Sequence, residues 1–164
     1  MARVRHPYII DIEASGFGPH SYPIEVGLAL EHSVKYCSLI APAAEWTHWD
    51  HEAEKVHCVP RETLRAHGKP AAEVAAALNE LLGSATVYSD GWVVDQPWLI
   101  RLFSQARIRQ AFSISPLEMI LTEAQMAVWH EVKAQVVDEL ELRRHRASSD
   151  AQIVQETYLR TRDR

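Results

Sequence analysis

Two cysteines in 164 residues, Cys37 and Cys58, are too few for a disulfide framework, so a packed core has to hold the fold. Each reads as a small buried side chain of a reducing compartment. No apolar run approaches the roughly 20 residues that a membrane-spanning helix needs, and Met1-Ala2-Arg3-Val4-Arg5 leads into a strand pattern rather than a secretory apolar stretch. The expectation is a cytoplasmic protein with no membrane partner. No repeat, low-complexity tract or flexible linker interrupts the sequence, so residues 1–164 read as one domain. Positive charge is short as well. Lys and Arg number 17 against 22 Asp and Glu, a net charge of −5, which excludes an evenly basic nucleic-acid-binding surface.

The acidity is unevenly placed. Residues 1–100 carry 7 basic and 13 acidic side chains, whereas residues 101–164 carry 10 and 9. Thirteen of the 17 basic residues are Arg, the forked donor suited to phosphate, and a run lies at Arg143, Arg144 and Arg146. A basic face on an acidic chain suits a short phosphodiester, and an ordinary solvated helix face is the alternative. With 47% hydrophobic and 24% charged residues, the composition is that of a globular domain.

The stretch Tyr8-Ile9-Ile10-Asp11-Ile12-Glu13 organises the rest. Its β-branched residues specify a packed strand, while Asp11 and Glu13, two residues apart, share one face of it. Buried carboxylates need a counter-charge, and a divalent cation supplies one. Ala14-Ser15-Gly16-Phe17-Gly18-Pro19 turns the backbone directly after the pair, so a ligand can approach there.

Further strands are expected over Pro23–Leu30 and Val34–Ile40, joined by a tight Glu31-His32-Ser33 turn to make an antiparallel meander. Trp46 to His57 is helical in character, and short and amphipathic helices follow at Pro60–Leu64 and Pro70–Leu82. Thr86–Ser89 reads as a strand, Asp95–Arg107 as a helix with Trp98, Leu99, Leu102 and Phe103 inward, and Phe112–Ile114 as a strand. A long or broken helix is expected over Pro116–Leu142, and a last one over Ser149–Arg162 with Ser148 or Ser149 as its N-cap. The pattern predicts an α/β fold with a mixed sheet flanked by helices.

Two downstream acids have the right setting to join Asp11 and Glu13. Asp95 follows a strand and opens a helix, with Asp90 as its competitor for the role, and Asp150 falls in the first turn of the last helix. Asp11, Glu13, Asp95 and Asp150 together offer an all-oxygen site for Mg²⁺ or Mn²⁺, and two ions about 4 Å apart would serve phosphoryl transfer. His145, on the loop before Asp150, is suited to accept the proton of an attacking water. The cluster His48, Asp50, His51, His57 and Cys58 has no regular zinc-ligand spacing. Trp46 and Trp49 could stack on a base or pack a helix onto the sheet.

Asp11-Ile12-Glu13, the segment Ser89 to Leu99 around Asp95, and His145-Arg146-Ala147-Ser148-Ser149-Asp150-Ala151 resemble, in order and spread, the three motifs of the DEDDh (DnaQ-like) 3'-5' exonucleases. The resemblance implies a ribonuclease H-like mixed five-stranded sheet, antiparallel first and then parallel, with helices on its faces. It also implies two Mg²⁺ or Mn²⁺ ions held by the four acids, with His145 as general base. The substrate is then the 3' end of single-stranded or short RNA or DNA. Ala14, Ser15, Gly16 and Phe17 fall where the family cradles the terminal nucleotide, with Phe17 as the wedge against the last base. Asp90-Gly91-Trp92 stands where an Asn-rich approach to the third acid is common. The alternatives are a non-catalytic nucleic-acid or protein-binding module on the same fold, and a phosphoesterase of small nucleotides. A homodimer is left open.

Overall fold

In the computed structural model, which describes residues 4–164, the central strand is β1 (Tyr8–Ala14). It pairs antiparallel with β2 (Pro23–Ala29), which pairs antiparallel with β3 (Lys35–Leu39). A single 3-10 turn, Glu31–Ser33, makes the second connection, with His32 and Ser33 at positive φ. On its other side β1 runs parallel to β4 (Thr86–Ser89), and β4 parallel to β5 (Ser113–Pro116), giving the order β3-β2-β1-β4-β5. The meander and the mixed sheet are as the sequence predicts. The fifth strand lies slightly later than Phe112–Ile114, because the Phe112 ring turns into the core against Phe103, at 5.7 Å.

Among the described residues six α-helices flank the sheet: α1 (His51–His57), α2 (Arg61–His67), α3 (Ala71–Leu82), α4 (Trp92–Ala106), α5 (Glu123–Leu140) and α6 (Ala147–Thr161). Among the described residues no helix is long and apolar enough to cross a membrane. Ile10 and Ile12 pack with Val74, Leu78, Leu99 and Leu102 of α3 and α4 on one face. Ile9, on the opposite face, packs with Trp129 of α5 and Ala151, Val154 and Tyr158 of α6. Because β1 is covered on both faces, the adjacent Ile9 and Ile10 are both fully buried. Asp11 and Glu13 lie on the α6 side by alternation.

Three expectations give way to longer-range effects. The helical character of Trp46–His57 is realised only from His51, where the Asp50 side chain accepts the Glu52 N–H at 2.9 Å; Trp46 instead stacks on Tyr22 with centroids 5.3 Å apart. Of the long or broken helix expected over Pro116–Leu142 the structure has the broken form: the Thr122 hydroxyl and Gln125 make a capping box that starts α5. Neither Ser148 nor Ser149 caps the last helix. It begins at Ala147, because the carboxylate of Glu25 on β2 accepts the Ala147 N–H at 2.7 Å and replaces a local cap. Both cysteines are exposed rather than buried: Cys37 sits on the edge strand β3, and Cys58 is the left-handed residue that ends α1.

Helix α6 can rest directly on β2 because position 27 carries no side chain. A Cβ on Gly27 would lie 2.2 Å from the Ser148 nitrogen and 2.3 Å from the Ala147 carbonyl carbon. Gly27 pairs with Asp11 across the β1–β2 ladder, so this close approach sets the first turn of α6 beside the acidic face. Gly27→Ala is expected to cost about 2 kcal/mol or more of stability through overpacking against backbone. Gly91→Ala, where the nearest contact of the added Cβ is an ordinary 3.6 Å, is expected to stay within about 0.5 kcal/mol. Urea denaturation of both variants measures the difference.

Candidate active site

Three elements bring acids to the exit of β1. The strand itself presents Asp11 and Glu13. The β1–β4 pairing stops at Ile9 and Tyr88, so the two parallel strands part beyond that point, and the first turn of α4 enters the gap. Asp95 in that turn is almost fully buried; its Oδ2 accepts from the Ser89 hydroxyl at 2.6 Å, and the backbone N–H of Ile12 donates to the same carboxylate. This is the crevice at the carboxyl ends of parallel strands where α/β sheets collect ligands. The third element, α6, supplies Asp150 from its own first turn.

The α6 end is fastened to the sheet by Glu25. This fully buried carboxylate lies opposite Glu13 on β2 and accepts two bonds from Arg146 Nε, at 3.0 and 3.1 Å, and one from Arg146 Nη2. Together with the Ala147 N–H, these bonds neutralise Glu25 and satisfy the helix start at once. The bond to Glu25 raises the Arg146 pKa further, so the guanidinium stays charged. Glu25 and Arg146 are the structural support that the motif reading missed; an acid within the apolar run Ile24 to Leu30 is the one sign of it in the sequence.

Asp11, Glu13, Asp95, Asp150 and His145 all line one cavity of about 360 Å³, together with Ala14, Gly16, Phe17, Val56, His57, Val94 and Trp98. Side-chain ligand atoms of Glu13, His145 and Asp150 lie within 4.8 Å of one another. His145 is exposed, at φ 59°, on the loop before α6, and its backbone N–H donates to Asp150 Oδ2 at 3.0 Å. Asp90 does not line that cavity and pairs with Lys133 at 2.8 Å, which leaves Asp95 as the acid in the gap.

The electrostatics are those of crowded acids with too little positive charge. Burial, then Asp95, Glu13, Asp150 and Asp90 in that order, push Asp11 well above the carboxylate range. Burial first, and then Asp150 and Glu25, push Glu13 up to about 8. Burial, opposed by the Ser89 bond, raises Asp95 to about 7. Asp11 Oδ2 is buried and has no hydrogen-bond partner, and such an orphan oxygen beside three further acids fits a hard divalent cation.

The turn after β1 divides in two. Ser15 is buried away from the cavity, its hydroxyl bonded to His48 Nδ1 at 2.9 Å and accepting the Tyr22 N–H at 3.1 Å, so its side chain serves the fold. Ala14, Gly16 and Phe17 line the cavity. Phe17 is 72% exposed, with its ring 6.0 Å from that of Trp98. Gly16 is held at φ 151°, where a Cβ would press on Asp50 and His48. The His48–Cys58 cluster is dispersed among such local tasks, and His57 alone of it reaches the cavity. Its Nδ1 accepts the Val59 N–H at 3.1 Å, which leaves the proton on a buried Nε2 without a partner, and burial lowers its pKa.

The raised acids make a signed prediction. A carboxyl whose pKa is higher folded than unfolded binds more protons in the native state, so its contribution is present below the unfolded pKa near 4 and is lost as pH rises through the folded value. Metal-free protein with Asp11→Asn should therefore gain stability over wild type progressively as pH climbs from about 5 to 8. Chemical denaturation in a chelator measures the difference; a gap independent of pH would contradict the charge assignment.

No family model matches the chain, and no curated protein does. Solved structures do. An exonuclease I from Methylocaldum szegediense superimposes with a TM-score of 0.75 at 16% identity, over 98% of this chain and 41% of that one. E. coli exonuclease I in complex with a dA16 oligonucleotide gives 0.71 at 12%, over 96% and 40%, and the zinc-bound form of its complex with single-stranded DNA gives 0.66 at 11%, over 93% and 39%. The chain spans about two fifths of the length of these structures. The resemblance carried by the three motifs holds at the level of architecture: the chain has the ribonuclease H-like fold of the exonuclease I structures.

Proposed function

We propose that this protein is a metal-dependent 3'-5' exonuclease that removes nucleotides from the 3' end of single-stranded or short nucleic acid. The observation that carries the reading is the single cavity in which four acids and an imidazole meet an apolar wall containing Phe17 and Trp98. Asp11, Glu13, Asp95 and Asp150 would hold two Mg²⁺ or Mn²⁺ ions, which when bound supply Lewis-acid stabilisation of a pentavalent phosphorus and lower the pKa of water. His145 accepts the proton of the attacking water as its oxygen bonds to phosphorus. The phosphorus bond to the 3'-oxygen of the penultimate nucleotide breaks, that oxygen takes a proton from solvent, and a nucleoside 5'-monophosphate leaves. Phe17 and Trp98 hold the terminal base by stacking.

The neighbours in the structural comparison include complexes with dA16, dA13 and dT13 oligonucleotides, which supports a single strand as substrate. Purified protein with Mn²⁺ should shorten a 5'-labelled oligonucleotide one nucleotide at a time, and Asp11→Asn should slow this by at least about 10³-fold. Binding without shortening would mark a non-catalytic module, and turnover of mononucleotide esters alone would mark a phosphoesterase.

Phe17→Ala removes the ring without touching an acid. It should weaken oligonucleotide binding by about 1–3 kcal/mol, because one stacked base is lost, while leaving Mn²⁺ affinity unchanged. Fluorescence anisotropy and calorimetry read the two effects separately.

A further inference from the structure

A smaller cavity of about 190 Å³ opens beside the first and shares Asp11 and Asp150 with it; Asp90, Lys133 and Arg144 also line it. The two differ in kind. Phe17, Val56, Val94 and Trp98 wall the larger one, whereas two cations stand over the acids in the smaller. Lys133 is engaged by Asp90 at 2.8 Å. Arg144 Nε donates to Asp150 Oδ1 at 2.9 Å while the His145 N–H holds Oδ2.

Asp150 thus has both oxygens occupied, in contrast to Asp11, whose Oδ2 has no partner. A guanidinium on Oδ1 neutralises the carboxylate and repels a divalent ion at the same place. The contact is easily exchanged: the Arg144 side chain is 40% exposed and that of Asp150 17%, and ion pairs near the surface hold weakly. Arg144 also sits on the short loop between α5 and α6, so its side chain can move without moving a helix.

Resting on the metal reading above, we propose that Arg144 is a positioning residue with two stations. In the metal-free protein it holds Asp150. When Asp150 is given over to a divalent ion, Arg144 turns to the phosphodiester backbone arriving across the smaller cavity, where its planar fork matches phosphate oxygens. The terminal nucleoside then occupies the apolar cavity, and the strand on the 5' side of the scissile bond passes over Lys133 and Arg144.

The two stations predict effects of opposite sign from one substitution, which a merely structural role would not produce. Calorimetric titration with Mn²⁺ alone should show Arg144→Gln binding the metal roughly three- to tenfold more tightly than wild type. In saturating Mn²⁺, its affinity for an oligothymidine with a non-hydrolysable methylenephosphonate at the last linkage should fall about tenfold. Arg144→Lys should recover part of both changes. Lys133→Gln, which breaks no bond to Asp150, should leave Mn²⁺ affinity within about twofold. Unchanged Mn²⁺ affinity in Arg144→Gln, changes of the same sign in both assays, or an equal Mn²⁺ gain in Lys133→Gln would each overturn the proposal. Wild-type protein that takes up no Mn²⁺ would instead remove the metal reading itself.

Discussion

The clasp of Glu25 on the start of α6 is the interaction on which the site depends. One carboxylate, buried in the middle of the meander, receives a guanidinium and a helix N-terminal amide from residues 121 and 122 positions away. It ties the first turn of α6, which carries Asp150, and the loop with His145 to the strand pair that carries Asp11 and Glu13. Burying an ion pair is expensive unless its hydrogen bonds are complete, and here each Glu25 oxygen has a partner. The missing side chain at Gly27 then lets the helix settle, so charge and shape act on the same turn of α6.

Against this fixed frame the acids are held in an unfavourable state. Burial and mutual repulsion raise three of them, and among the described residues Ser89, the Ile12 amide, Arg144 and the His145 amide answer with hydrogen bonds. A site that keeps carboxylates crowded and one oxygen unpartnered is stabilised most by a cation, which couples ligand binding to folding free energy. The parting of β1 from β4 after Ile9 is the backbone feature that makes room for this, because the freed Ile12 amide reaches Asp95 rather than another strand.

Much of this was legible in the sequence because the signals are local. Alternation places Asp11 and Glu13 on one face, the strand-to-helix transition marks Asp95, and the loop before a helix marks His145 and Asp150. The illegible parts are those decided at long range. Ser15 looks like its neighbours in the turn, yet its hydroxyl is claimed by His48, 33 residues on. Ser148 and Ser149 have the chemistry of helix caps, but a carboxylate from β2 arrives first. Cys37 follows the strand pattern, and only the sheet order reveals that its strand is an edge. Glu25 and His57 carry no motif; their importance comes from burial and from the groups around them.

The arch from Gly16 to Ser21 is braced on both sides. Asp50 N–H bonds the Ser15 carbonyl at 2.9 Å, Trp98 Nε1 donates to the Ser21 hydroxyl at 2.8 Å, and Arg101 reaches the carbonyls of Ser21 and Pro19 at 2.7 and 3.1 Å. Phe17 is therefore carried on a stiff mount, and little ordering entropy remains to be lost when a flat guest slides against it. The surrounding carbon surface of Ala14, Ala53, Val56 and Val94 offers planarity and bulk but no donor–acceptor lettering. A wall built this way grips a flat ring by its faces and leaves any reading of its edges to polar groups such as His57 Nε2.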